Sequence, residues 1–310
     1  MSLARLKVEN GEDNFPSLCN TMPDRFLLYI DILGFSEMTR NEPRKVARIY
    51  AILDSLNVHQ HDAFKTIVFS DTVLVYNPKP ALSDADRSYY VWYLIEFAED
   101  LHHRLTGQDI FFRAVLTSGN FSHYRLKHIE CFFGDALISA YTAEKEIPSI
   151  GLFLDMSCEP YNKYFRTAPF DENCSFIYLN RSLESINEYA GGEYPFVNVA
   201  AADFAPLLPW QVRFLKDVYA NMRSHQLPAV RAKFLTAWDF YVLRYPDLIK
   251  ALIESNFTLA PIGGLKAWGP ELDELEKSIR YYKRIGSGTV LSRELTGAKL
   301  IKKLQKNSKK

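Results

Sequence analysis

The 310-residue chain has no excess charge of either sign. Lys and Arg number 37, Asp and Glu 37. That balance excludes the global electrostatic field expected of a protein that coats nucleic acid or an anionic membrane. The four cysteines (Cys19, Cys131, Cys158 and Cys174) make no C-x-x-C pair and no zinc spacing. They read as reduced thiols of a cytoplasmic protein. No apolar run approaches the ~18 residues of a membrane span, and residues 1–24 are too polar and irregular for a signal peptide. The seven histidines lack ligand spacing apart from His59-x-His61. No internal repeat is visible.

What the chain does have is two short apolar runs, each carrying an aspartate. The first is Phe26-Leu27-Leu28-Tyr29-Ile30-Asp31-Ile32-Leu33-Gly34-Phe35-Ser36. The second is Thr66-Ile67-Val68-Phe69-Ser70-Asp71-Thr72-Val73-Leu74-Val75-Tyr76. A carboxylate among β-branched and aromatic residues is costly to desolvate unless something positive pairs with it. Two such strands side by side would bring both carboxylates to one point, a geometry that suits a pair of divalent cations and phosphoryl transfer.

The spacing predicts strands over 25–33 and 110–118, and a hairpin or bulge within 65–76 broken at Ser70-Asp71-Thr72. Further strands fall at 150–155 and 175–179. Helices are expected over 42–56, from Asp84 to about Arg104, and over 134–146. This β-α-β-β-α-β alternation indicates an α+β fold, with a ferredoxin-like or palm core around a mostly antiparallel sheet. Beyond about 205 the composition becomes helical, with helices over 209–225, 228–245 and 246–256. Residues 1–200 are read as the core, 205–300 as a C-terminal helical extension and 301–310 as a basic tail. The last twelve residues hold six lysines and no acid.

Four ordered blocks within residues 26–145 carry a resemblance. Asp31-Ile32-Leu33-Gly34-Phe35-Ser36 resembles the first metal motif of class III nucleotidyl cyclases. Asp71, forty residues on, matches their second metal aspartate. Arg113 through Gly119 resembles the family's Arg-led strand, and Cys131 through Leu137 the segment opening the next helix. The resemblance implies that Asp31, Asp71 and the Ile32 carbonyl hold two Mn²⁺ or Mg²⁺ ions per site. It also implies that the Ile32–Ser36 turn, including Leu33 and Phe35, cradles the β- and γ-phosphates, with Gly34 allowing close backbone approach. Taken alone, Asp31 reads as a turn former, Arg113 equally as an ion-pair or a phosphate arginine, and Cys131 as a buried apolar residue, whereas the resemblance puts Cys131 at a position that contacts the base in guanylate-type members. Lys65 either borders the site or faces solvent.

The purine-reading and transition-state residues of the family are missing. Ile67 stands where a purine-selecting Lys or Glu is expected, and Ile138 and Thr142 stand where Asn and Arg are expected. The stretch from Gly134 to Glu144 is instead similar to the Gly-x-Ala-Leu-x-x-Ala-Tyr-x-x-Glu helix of the bacterial Pycsar pyrimidine cyclases. That resemblance implies a homodimer with interface active sites. It implies conversion of UTP or CTP, UTP being favoured, to the cyclic monophosphate during phage infection, and a separate effector activated by the cyclic nucleotide. Tyr141, Phe132 and Phe133 are candidate fillers that would exclude purines. A purine cyclase and a catalytically silent nucleotide-binding module remain as alternatives.

Overall fold

Residues Asp24–Ile32 form the first strand, β1, in which apolar side chains alternate between two faces. A computed structural model describes this strand and the rest of residues 24–191, 194, 205–263 and 268–285. The polar N-terminal segment with Cys19, the Gly264 and Gly286-Ser287-Gly288 positions and the basic tail lie outside the described residues.

After β1 the chain turns at Gly34 into α1 (Phe35–Asn41) and α2 (Pro43–Asp54). The hairpin follows as β2 (Lys65–Phe69) and β3 (Thr72–Tyr76). The long helix is α3 (Asp84–Leu105). Its cap is Ser83 rather than Asp84: the Ser83 hydroxyl accepts from the Asp86 N–H at 3.1 Å, and the Asp86 carboxylate accepts from the Ser83 N–H at 3.0 Å. Strand β4 (Phe112–Asn120) runs two residues beyond the expected end at 118. A small hairpin then forms, β5 (Ser122–Arg125) and β6 (Glu130–Phe133), and leads into α4 (Asp135–Glu146). Strands β7 (Gly151–Asp155), β8 (Thr167–Pro169) and β9 (Cys174–Ile177) and helix α5 (Arg181–Ala190) complete this half. The extension contains α6 (Leu208–Ser224), α7 (Pro228–Arg244), α8 (Pro246–Glu254) and a helix over 269–285, α9.

The main sheet has the order β2-β3-β1-β4-β7-β9-β8. Every neighbouring pair is antiparallel except β4 with β7. The α+β class, the mostly antiparallel sheet and the helical extension are as the sequence predicts.

One face of β1 (Phe26, Leu28, Ile30, Ile32) packs on α2 and α3. The other face is shared between two covers. Leu27 and Tyr29 meet α4 through Ala136 and Ala140, while Val115, Phe153 and Phe176 meet α6, α7 and α8. Residues 205–263 therefore bury the same core as the sheet: Phe176 stacks on Phe240 at 4.4 Å and Phe111 meets Phe234 edge-on at 4.8 Å. Each fully buried aromatic of this kind is worth about 2–3 kcal/mol in area removed from water.

Candidate active site

The register of β1 places Asp31 opposite Thr72 of β3 on one side and Arg113 of β4 on the other. Asp71 lies in the two-residue turn between Phe69 and Thr72. The Ile32 N–H donates to the Asp71 carbonyl at 3.0 Å, which ties the end of β1 to that turn. The two aspartates that lie forty residues apart in sequence thus sit at one end of adjacent strands. Ser70 takes a left-handed conformation (φ 56°) to make the turn, a position that glycine usually fills. The Tyr50 hydroxyl of α2 donates to the Ser70 carbonyl at 3.0 Å and clamps the turn.

Past β1, the Leu33 N–H donates to the Phe111 carbonyl at 2.9 Å. Its amide is therefore engaged in holding the turn and not free for a phosphate. Gly34 follows with φ 72° and opens α1. Phe35 is buried and meets Tyr50 at 6.1 Å, while Ser36 is exposed. The turn of Ile32, Leu33, Gly34, Phe35 and Ser36 is thus fixed on three sides, beside both aspartates.

Arg113 is buried, and its partners are all internal. It pairs with Glu144 of α4, donates to the Ile147 carbonyl and stands 3.7 Å from an Asp31 carboxylate oxygen. Burial lowers the pKa of its guanidinium, and Asp31 opposes that shift. Burial also raises the pKa of Asp31; Arg113 pulls it back, Asp71 raises it further, and Lys233 of α7 lowers it. Burial thus outweighs the two nearby cations in setting the direction of the Asp31 shift.

The donor set fits a hard divalent ion. Asp31 and Asp71 offer carboxylate oxygens, and the Ile32 carbonyl ends the same strand. Among the described residues no group of three or more His, Cys, Asp and Glu could form an all-protein cage. Two carboxylates with the remaining positions left to water and phosphate oxygens is how Mg²⁺ is commonly held. His59 and His61 are occupied elsewhere, within 2.7 Å of the Leu53 carbonyl and of the Tyr89 hydroxyl respectively.

Beside the turn lies an apolar recess of about 380 Å³, lined by Tyr29, Ile67, Phe69, Leu74, Phe132, Ile138 and Tyr141 among others. Four positions singled out in the sequence (Ile67, Phe132, Ile138 and Tyr141) converge there. Cys131 points its strand elsewhere, opposite Tyr124 in the β5–β6 hairpin, and Phe133 is exposed. Lys65 pairs with Tyr76 at the end of the hairpin remote from Asp71, so it does not border the aspartates. Phe69, Ile138 and Tyr141 leave an exposed apolar rim around the recess, at 73%, 64% and 46% exposure.

No protein-family model matches the chain, and no curated protein matches it. Solved structures do. The monomeric guanylyl cyclase domain of the RhoGC fusion protein from the aquatic fungus Blastocladiella emersonii is 18% identical, with a TM-score of 0.41, over 50% of this chain and 95% of that one. The guanylate cyclase domain of RhGC from Catenaria anguillulae, solved in complex with GTP, is 12% identical with a TM-score of 0.40, over 51% and 97%. The adenylyl cyclase CyaB from P. aeruginosa is 10% identical with a TM-score of 0.37, over 50% and 93%.

Tyr50, Glu144 and Lys233 shape the site without having been expected there. Glu144 closes the quoted helix motif, and that was its only signal. Tyr50 reads in sequence as one more apolar residue of a helical stripe. Among the described residues no helix is long and apolar enough to cross a membrane.

Proposed function

We propose that the protein is a nucleotidyl cyclase that converts a pyrimidine nucleoside triphosphate, UTP in preference to CTP, to its 3′,5′-cyclic monophosphate and pyrophosphate. The observation that carries this reading is the convergence of Asp31 and Asp71 at the tied end of β1 and the β2–β3 turn. Asp31, Asp71 and the Ile32 carbonyl would hold two Mn²⁺ or Mg²⁺ ions, which when bound supply charge neutralisation at the phosphates and acidify the attacking hydroxyl. The substrate's O3′ forms a bond to its own α-phosphorus as the bond from that phosphorus to the pyrophosphate oxygen breaks. The hydroxyl proton leaves to solvent. The protein's part is placement: the turn through Gly34 receives the β- and γ-phosphates, and Arg113 positions Asp31.

The recess supports a pyrimidine. Ile67 and Ile138 have no hydrogen-bonding group to read a purine edge, and the large rings of Phe132 and Tyr141 line the same recess. The exposed apolar rim of Phe69, Ile138 and Tyr141 supports a homodimer that closes over the recess. The resemblance to Pycsar cyclases supports a messenger role in antiphage defence, with a separate effector reading the product.

The test incubates purified protein with Mn²⁺ and each of the four NTPs labelled at the α-phosphate. Phosphatase-resistant cyclic UMP or CMP is expected, reduced at least ~100-fold in Asp31→Ala and in Asp71→Ala, as for loss of a metal-held charge at a transition state. Full activity in either variant overturns the metal assignment. A cyclic purine overturns the base-size argument, and nucleotide binding without pyrophosphate release replaces the enzyme by a binding module.

A further inference from the structure

The extension contributes one residue to the same end of the sheet. Helix α7 buries Phe234, Ala237, Trp238 and Tyr241 against the sheet, with Val230 packed partly on the same cluster. These positions follow one helical stripe, and Lys233 falls within it, three residues after Val230 and one before Phe234. A half-buried lysine on a core-facing stripe is unfavourable unless an anion answers it.

Its place is set by its neighbour. The Phe234 ring meets Phe111 at 4.8 Å, and the Phe111 carbonyl accepts the Leu33 N–H at 2.9 Å. Leu33 directly follows Ile32 in the turn that ends β1. These contacts hold α7 against the end of β1, and the Lys233 charge acts on both Asp31 and Arg113 there. Burial and the like charge of Arg113 both lower its pKa, and Asp31 only partly offsets them. Lys233 forms no direct ion pair or hydrogen bond among the described residues, whereas Arg113 is engaged by Glu144 and the Ile147 carbonyl. Of the two cations at this end, Lys233 is the one free to reach a ligand.

We propose that Lys233 is a triphosphate-binding residue of the site, a cation delivered from the helical extension in place of the one that α4 lacks at Thr142. This rests on the proposed cyclase reading. A lysine suits the task because a flexible stem carries a compact charge with three rotatable donors to phosphate oxygens. Its source on α7 makes the extension part of the nucleotide site rather than a cover for the sheet.

The experiment compares the full-length wild type with Lys233→Gln, Lys233→Met and Lys233→Arg. Inorganic tripolyphosphate is titrated into each in the presence of Mn²⁺ by calorimetry, and KM and kcat are measured with whichever NTP the wild type cyclises. Lys233→Gln and Lys233→Met should weaken tripolyphosphate binding at least tenfold and raise KM in parallel. Lys233→Arg should stay within threefold of wild type, and all melting temperatures should agree within about 2 °C, since no ion pair or hydrogen bond of the protein is lost. Met keeps the apolar stem, so it reports on charge if Gln disturbs packing. Wild-type affinity in both neutral variants overturns the assignment, as does a wild type that binds no tripolyphosphate. A wild type that binds tripolyphosphate yet yields no cyclic product defeats the cyclase reading alone, and the affinities of the variants still decide Lys233.

Discussion

Replacing Glu144 by Gln leaves the Arg113 guanidinium buried with half of its counter-charge. The two side chains are 9% and 6% exposed, and the remaining anion, Asp31, stands 3.7 Å away. Removing one member of a buried pair typically costs about 3–5 kcal/mol, because the survivor's desolvation goes uncompensated. Asp31 takes up part of that, so the lower figure of about 3 kcal/mol is expected for Glu144→Gln. In a chain of 310 residues that is a fall in Tm of roughly 5 °C. Under the proposed metal assignment Arg113 then competes with the ion for Asp31, and the Mn²⁺ concentration needed for half-maximal activity should rise. The companion variant Arg113→Met/Glu144→Leu removes both charges and should return to within ~1 kcal/mol of wild type. Urea denaturation of the wild type, Arg113→Met, Glu144→Leu and the double variant gives the coupling energy directly. A Glu144→Gln variant within ~0.5 kcal/mol of wild type would refute the reasoning, as would a double variant whose loss is the sum of the singles.

Two glycines at helix starts should behave differently. A Cβ at Gly134 would meet the Asn120 carbonyl oxygen at 2.3 Å and the Phe121 Cα at 2.7 Å, with φ at 148°, so Gly134→Ala should cost more than ~2 kcal/mol in denaturant unfolding. Gly34 has nothing within 4 Å of a built Cβ, and Gly34→Ala should cost only the ~1 kcal/mol of its left-handed backbone. His102 gives a pH dependence. Its ring borders a cavity yet is enclosed deeply enough that burial lowers its pKa to about 4, against the opposing hydrogen bond with Asn180. With the folded value below the unfolded one, stability is complete above about pH 6.5 and falls as the pH drops toward 4. The slope cannot exceed about 1.4 kcal/mol per unit, and contact with the cavity will lessen it. Urea midpoints from pH 7 to 5 should show this component in the wild type and not in His102→Gln.

What the sequence revealed and what it hid divide by range. Asp31 and Asp71 stood out because alternation and turn chemistry are local: Ile30 and Ile32 define a strand, and Ser70-Asp71 interrupts another. The convergence of Ile67, Phe132, Ile138 and Tyr141 was approached through motif positions rather than packing. The β5–β6 hairpin escaped because its strands are four residues each and flanked by charge. Helix α5 and the helix over 269–285 also went unread. Lys233 was invisible for a different reason. Nothing near it in the chain marks it, and the groups that give it meaning lie on β1 and β4, more than a hundred residues earlier. The same holds for the hydrogen bond from Tyr50 to Ser70, whose geometry no periodicity encodes.

The core shared between the sheet and α6–α8 has a consequence for synthesis on the ribosome. Phe153 and Phe176 are in place once the chain has reached Ile177, but Phe234 and Tyr241, which cover them, come only as α7 is made. At about 5–20 residues per second, the apolar sheet face waits roughly 3–13 s for its cover. During that interval the nascent chain presents an unfinished surface suited to chaperones. The Asp31 end of β1 likewise stays without α7 until residue 244 has been made, so a product truncated before α7 lacks part of the surroundings of the candidate site.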